Sequence, residues 1–235
     1  MKLWKRKKTW TKVRIKKSNG YFEVFLDEKR ILTPESNKIE LPTKNLALAI
    51  AKEWDIQKDV INKKAMPYNG LVNSAIDNVS MNFQHFIEKL IDYADTETIC
   101  YRAESPEELV LLQSEQWDPL LNWLKTEFEI NLELRSGIKY KSQSTVELEK
   151  LRPLLTGYDS FKLTSLYNLV ALSGSLIISL AVLRGNLTAE KGWEIAMLEE
   201  NWQREQWGQD EESIHHYENK LAEFITAQNF SKLLR

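Results

Sequence analysis

The chain has 235 residues, of which 43% are hydrophobic and 28% charged, so it is long enough for one large domain or two modest ones. Its single cysteine, Cys100, excludes a disulfide within the chain and a zinc site built from several cysteines, and it indicates a reducing compartment. The net charge is only −2, yet nine Lys or Arg and no acid occupy residues 1–17, whereas nine acids and two bases occupy residues 194–223.

The first 42 residues predict a small antiparallel β domain. Hydrophobic residues alternate with polar ones in three short segments, as in half-buried strands: Val13 and Ile15; Phe22, Val24 and Leu26; Ile39 and Leu41. Asn19-Gly20 is typical of a tight hairpin, because both residues tolerate positive φ angles, and the polar run 27–30 predicts a second turn. This domain is too small to bury a core alone, so we expect it to pack on the helices that follow.

After Pro42 the hydrophobic period becomes helical, which predicts an all-helical domain over residues 43–235 and places the chain in the α+β class. Thr43 is expected to cap a helix whose inward face carries Leu46, Ile50 and Trp54. A second helix is expected from about Met81 to Tyr93.

A third helix is predicted to begin where Ser105 and Glu108 have the spacing of a capping box, with Pro106 in its first position. Pro119 inside this helix must either kink it or end it so that a new helix begins. The uncharged stretch 165–183 is long enough to span a bilayer, but its asparagine and serines favour a buried core helix.

Further helices are expected near Thr145 and near Lys162. Another should run from Thr188 to Gly208, and a last one should follow Asp210 as its cap.

Several kinds of chemistry find no support in the sequence. Neither a P-loop nor a Gly-x-Gly-x-x-Gly fingerprint occurs, so no cofactor is predicted and binding of ATP is not expected. Glu212 and His215 have the spacing used in di-iron bundles, but the second copy of that motif is missing, which favours an ordinary surface helix.

Two other functions are carried as alternatives. A small helical enzyme would use either Cys100, with His85 as its base, or a carboxylate pair in a helical cleft. No third residue that orients Cys100 and His85 is identifiable. A weak nucleic-acid-binding module would use the basic run 5–8 between Trp4 and Trp10 to neutralise phosphates and stack bases.

A set of unusual short sequence motifs, called words below, remains. The words are Gly20 to Asp27, Leu32-Thr33-Pro34, Glu53 to Gln57, Met66-Pro67, Asp95 to Arg102, Trp117-Asp118-Pro119-Leu120 and Trp207-Gly208. Their order and spacing, from about Thr9 to Tyr217, resemble those of the assembly chaperones of the F-type ATP synthase that bind the unassembled alpha subunit, a family of mitochondria and alphaproteobacteria.

The resemblance implies a β domain followed by a helical domain, no enzymatic activity, and a task of shielding the alpha subunit until the catalytic hexamer assembles. It also implies that Trp54, Asp55, Trp117, Asp118 and Pro119 are structural motif residues.

For partner binding, the resemblance points to a late acidic helix in which one glutamate is important, and that position falls on Glu199. Glu200, Trp202 and Trp207 lie beside it in sequence, and clustered acids next to aromatic residues can orient a basic client. The segment after Gly208 departs from the family pattern, so no role is transferred to His215 or His216.

The charged N-terminus runs directly into a strand pattern without the apolar stretch of a secretory signal. A bacterial cytoplasm is therefore the expected location, with the mitochondrial matrix as the alternative. No membrane insertion and no nucleic-acid partner are expected.

Overall fold

The computed structural model describes residues 7–137, 140–208 and 211–235. The chain divides into two compact units. The first comprises Met1–Phe83, Ser160–Thr164 and Asn229–Arg235, and the second comprises Gln84–Asp159 and Ser165–Gln228. The predicted fold class is confirmed, since a small antiparallel sheet precedes a succession of helices.

The sheet consists of β1 (Val13–Ser18), β2 (Tyr21–Leu26) and β3 (Lys29–Arg30), in the order β1-β2-β3. The predicted hairpin forms at Asn19 and Gly20, whose φ angles are +49° and +87°. The third predicted strand does not form a ladder. Leu41 makes only an isolated bridge to Phe22, because the chain leaves the sheet immediately to start the first helix.

The helices and the remaining strands follow in chain order. They are α1 (Lys44–Asp55), α2 (Pro67–Ser74), α3 (Phe83–Asp95), β4 (Tyr101–Arg102), α4 (Glu107–Phe128), β5 (Arg135–Ser136), α5 (Thr145–Glu149), α6 (Leu151–Thr156), α7 (Ser160–Ser173), α8 (Leu176–Arg184), α9 (Ala189–Ala196), α10 (Leu198–Trp207) and α11 (Glu211–Lys232).

The core of the first unit lies between the sheet and α1. Thr43 caps α1 as predicted, since its Oγ1 accepts the Leu46 N–H at 3.2 Å. Leu46 and Ile50 are fully buried and pack in one cluster with Val24 of β2 and Leu41. The compact unit therefore extends past residue 42, where the sequence places a boundary between domains. As a statement about independently folding domains, that boundary stays a prediction.

Helix α8 forms the centre of the second unit, and every residue from Leu176 to Leu183 is buried. It packs against α4 and α9. The expected buried helix over residues 165–183 is thus divided into α7 and α8. Gly174 separates them with a φ of +72°, which ends α7 and allows Ser175 to cap α8.

Two other expectations about helix ends are corrected, and of the two alternatives at Pro119 the end of the helix is excluded. The predicted capping box does not form, because Pro106 is itself the N-cap of α4 and makes no side-chain capping bond. Helix α4 continues through Pro119 without stopping. Pro119 and Glu115 are exposed, so water can hydrate the Glu115 carbonyl that proline leaves without a donor.

The helix predicted from Thr188 to Gly208 is two helices, since Met197 separates α9 from α10. Thr188 caps α9 as expected, with its Oγ1 accepting the Lys191 N–H at 3.2 Å. The predicted cap of the last helix, Asp210, lies outside the described residues.

The crossing of α8 and α9 depends on Gly192, and its replacement is a test of this packing. An added Cβ would lie 2.4 Å from Val182 Cγ2, far inside van der Waals contact. We expect Gly192→Ala to lower the free energy of unfolding by about 1–3 kcal/mol, as measured by chemical denaturation.

Gly70→Ala in α2 is the matched control, because nothing lies within 4 Å of the Cβ it adds. Alanine is the better helix former, so this change is expected to stabilise the protein by up to about 1 kcal/mol. Equal effects of the two substitutions would show that the close approach at Gly192 is absent.

Candidate partner-binding surface

Helix α10 carries all four residues predicted to bind a partner. Leu198 is the only buried residue of this helix, so its other side chains remain wholly or partly accessible. The helix ends at Gly208, whose φ of +83° is a conformation that glycine adopts without strain. A polar helix of this kind contributes little to the core and leaves its side chains available for contact.

Glu199 lies at the start of α10 and is half-buried. Its Oε1 accepts a hydrogen bond from Nε2 of Gln113 at 2.5 Å, and the Oε1 of Gln113 in turn accepts the Ala103 N–H at 2.9 Å. Gln113 is completely buried. Burial raises the pKa of Glu199, the charge of Glu200 raises it further, and the Gln113 hydrogen bond opposes both. The Glu199 carboxylate is therefore held against α4 by Gln113, and it is only partly accessible to a partner.

Glu200, Trp202 and Trp207 are more available. Glu200 is exposed, Trp202 is half-buried, and Trp207 is 76% exposed. The two indole rings meet edge to face, with centroids 6.2 Å apart and planes at 84°.

A groove of about 420 Å³ borders α10. Its apolar lining comes from Trp193, Met197, Trp207 and Tyr217. Trp193 is 1% exposed, and its ring packs against Tyr217 at a centroid distance of 5.7 Å. We call this depression, together with the exposed face of α10, the α10 groove.

Charged side chains also line the α10 groove. Glu200 contributes a carboxylate, and Arg204 and Lys220 contribute cations. The Arg204 guanidinium lies over the Tyr217 ring at 4.2 Å and also donates from its Nε to the Glu200 carbonyl at 3.2 Å. Arg204 is thereby part of the wall of the groove.

The motif residues of the first unit have structural contacts. The indole Nε1 of Trp54 donates to Asn69 Oδ1 at 3.0 Å, and its ring meets Trp10 at 5.3 Å. Trp54 is half-buried, whereas Asp55 is exposed and offers its backbone carbonyl to Lys8 Nζ at 3.3 Å.

In the second unit, the motif residues anchor α4. Trp117 is 1% exposed, and its Nε1 donates to the Ile195 carbonyl at 3.1 Å. Asp118 pairs with Arg102 at 2.7 Å, and the Arg102 guanidinium lies over the Trp117 ring at 5.2 Å. Trp117 and Asp118 thus hold one cation between a ring face and a carboxylate.

Two buried glutamates inside the family words were not singled out from the sequence. Glu53 accepts the backbone N–H groups of Tyr68 and Asn69, each at 2.8 Å, at the N-terminus of α2. Burial raises the pKa of Glu53 to about 7, although these two hydrogen bonds favour the ionised form. The contact links two of the sequence words, the one around Glu53 and the one around Pro67.

Glu97 has the corresponding role in the second unit and is fully buried. Its carboxylate accepts the Ile177 N–H at 3.1 Å at the start of α8, and the Ile99 N–H at 3.5 Å. Burial raises the pKa of Glu97 to about 7 against the effect of these donors. The available signals were an acidic residue and, 80 residues later, a fully apolar helix whose first N–H groups need acceptors. Nothing local in the sequence pairs the two.

The residues proposed for enzyme chemistry are poorly suited to it. Cys100 is buried, and burial together with the nearby Glu97 charge raises its pKa to about 12, so the thiol stays protonated at neutral pH. His85 is exposed. His215 lies 3.8 Å from Glu218, and within the described ranges no group of three or more His, Cys, Asp or Glu is placed to hold a metal ion.

Lys8 and Trp10, in the described part of the basic N-terminal segment, make contacts within the chain. Trp10 is buried, and Lys8 Nζ donates to the Gln57 carbonyl at 2.9 Å, so neither is free to stack a base or neutralise a phosphate. Trp4, Lys5 and Arg6 lie outside the described residues. Among the helices that the structure describes, none combines the length and apolar character needed to cross a membrane.

Residues 7–125 match the family model described as ATP12 chaperone protein. The crystal structure of Atp12 from Paracoccus denitrificans is 40% identical, with a TM-score of 0.94 over 99% of this chain and 100% of that one. The Atu1473 protein of Agrobacterium tumefaciens is 32% identical, with a TM-score of 0.91 over 96% of this chain and 85% of that one. Protein atp12 of Schizosaccharomyces pombe, a mitochondrial protein, is 28% identical over 90% of this chain and 76% of its own length.

The buried carboxylate of Glu97 predicts a pH dependence of stability. Its pKa of about 7 in the folded protein exceeds the ordinary value of 4.5, so the folded state holds this proton over a range in which the unfolded chain has lost it. Glu97 therefore stabilises the fold fully at pH values below its ordinary pKa of 4.5, and this stabilisation is lost as the pH rises through about 7. Relative to Glu97→Gln, we expect wild type to lose roughly 3 kcal/mol between about pH 4 and pH 8.

Urea unfolding at a series of pH values measures this difference. Glu205→Gln removes one exposed carboxylate on α10 and controls for the change in net charge. Parallel stability curves for wild type and Glu97→Gln would contradict the prediction.

Proposed function

We propose a function from the premise that the chain belongs to the ATP12 chaperone family. The protein is an assembly chaperone of the F-type ATP synthase that binds the unassembled alpha subunit and prevents its aggregation before the catalytic hexamer forms. The observation that carries this proposal is the similarity to Paracoccus Atp12 along almost the whole chain. The choice of the alpha subunit comes from the resemblance of the sequence words.

The proposed mechanism is reversible protein contact without catalysis. The sequence has neither of the glycine-rich phosphate-binding motifs, so binding and release of the client proceed without ATP. Cys100 supports this reading, because a buried, protonated thiol is a poor nucleophile.

The α10 groove is the surface that we assign to the client. Trp207 offers exposed aromatic area, which contributes strongly to binding when a partner covers it. Glu199 and Glu200 supply carboxylates that orient a basic client, with Glu199 held by Gln113. Positioning by a buried amide reduces the entropy that Glu199 loses on binding.

The bacterial cytoplasm is the proposed location. The similar solved structures come from the bacteria Paracoccus and Agrobacterium, and a single buried cysteine is compatible with a reducing compartment. The mitochondrial matrix is the alternative, because the fission-yeast relative is mitochondrial.

Co-purification and light scattering test the function directly. The tagged chain is expected to retain free alpha subunit from a lysate, and purified protein should suppress aggregation of the alpha subunit during dilution from denaturant, equally with and without ATP. Failure of the purified pair to associate, combined with unchanged aggregation, would refute the proposal.

Glu199→Lys is expected to weaken alpha-subunit binding by about tenfold or more, because it reverses the charge and removes the acceptor of the Gln113 amide. Glu205→Lys makes the same charge change at an exposed position of the same helix and is expected to have a much smaller effect. Isothermal titration calorimetry measures both, and thermal unfolding confirms that each variant is folded. Equal losses for the two variants would count against a specific role for Glu199.

A further inference from the structure

The α10 groove combines an apolar floor with an exposed tryptophan. Trp193 and Tyr217 are in contact at its base, and Met197 and Trp207 also line it. Its volume of about 420 Å³ lies within the range of about 300–1,000 Å³ that is usual for binding pockets. Trp207, at 76% exposure, shares with Met81 the highest value among the large hydrophobic side chains that the structure describes.

Charge around the groove determines the kind of segment that fits it. The helices that build the groove, α9, α10 and α11, carry nine acids against the four cations Lys191, Arg204, Lys220 and Lys232, so their summed charge is negative. Arg204 is committed to the Tyr217 ring and to the Glu200 carbonyl. Glu200 is exposed at the groove and presents a carboxylate to an incoming cation.

We propose that the α10 groove binds a client segment in which a bulky apolar side chain is flanked by arginines. The apolar side chain occupies the groove beside Met197 and the edge of Tyr217, while a flanking guanidinium stacks on the Trp207 indole and pairs with Glu200. Arginine suits this position better than lysine, because its planar group stacks on aromatic faces and binds carboxylates through two parallel hydrogen bonds. The inference rests on the proposed chaperone function and specifies which part of the client is recognised.

Lys220 allows a test of whether the bound segment is basic or acidic. It lines the groove as a cation, so it opposes a basic segment and would favour an acidic one. Lys220→Gln is therefore expected to tighten binding of a basic segment. The same substitution would weaken binding if the occupant were acidic.

The experiment uses the full chain and a fluorescein-labelled peptide in which Leu-Trp is flanked on both sides by arginines, followed by fluorescence polarisation. Wild type is expected to bind this peptide, and Trp207→Ala to weaken binding by about tenfold. Glu200→Gln should weaken it by a smaller factor, and lysines in place of the arginines should also weaken it. Because Trp207 is so exposed, its replacement leaves the core intact.

Two controls make the result decisive. Met81→Ala removes an equally exposed apolar side chain in the first unit and should leave binding unchanged. A peptide with glutamates in place of the arginines should not bind. Equal binding of the acidic peptide, or an equal loss in Met81→Ala, would overturn the proposal.

Alpha-subunit binding by the same variants separates the two proposals. If the alpha subunit binds wild type and Trp207→Ala equally, the groove assignment is wrong and the chaperone function stands. If the basic peptide binds as expected but the alpha subunit binds neither protein, the chaperone function is wrong and the chemistry of the groove stands.

Discussion

A carboxylate buried at the start of a buried helix is the interaction on which the helical unit depends. Helix α8 is apolar and enclosed from Leu176 to Leu183, so its first N–H groups have no access to water. Glu97 and Ser175 supply the acceptors that these groups need, and the positive end of the helix dipole favours the negative charge of Glu97. Without these acceptors, burial of α8 would destabilise the fold, because each unsatisfied buried N–H group costs about 1–3 kcal/mol.

The first unit uses the same device at α2, with Glu53 as the acceptor. Both glutamates join segments that are distant in sequence, and both are only just stable as anions because burial opposes their ionisation. Two of the family words thus contain a buried carboxylate that accepts backbone N–H groups. Glu53 and Glu97 each make a contact between a carboxylate and a distant helix end, and Trp117 and Asp118 make a further contact around Arg102.

The α10 groove differs from the core in the accessibility of its side chains. In the core Glu97, Gln113 and the Trp117 indole each have a close hydrogen-bond partner, whereas at α10 aromatic area and charge are left accessible. Trp207 is exposed on a helix that also carries Glu199, Glu200 and Glu205, so its aromatic area lies on a helix with negative charge. A chaperone that must release its client gains from such a surface, because much of the binding energy comes from a few side chains that can separate again.

The sequence by itself determined the features that arise from local geometry. The hairpin at Asn19-Gly20, the caps at Thr43 and Thr188, the α+β class and the clustering of the candidate partner residues on one late helix follow from propensity and period within short windows. Family membership followed from ordered words along the chain.

Only the tertiary structure decided which residues carry the buried charges, where helices break and how accessible each candidate residue is. The sequence does not single out Glu53 and Glu97, because their acceptor role depends on helix ends that lie 15 and 80 residues away in sequence. Gly174 ends α7 through its positive φ and Ser175 then caps α8, whereas the break at Met197 has no side-chain cap that the sequence could reveal. Glu199 and Trp207 look alike as candidates on one helix, yet the Gln113 amide fixes the first while the second is left to solvent, because only folding brings α4 against α10.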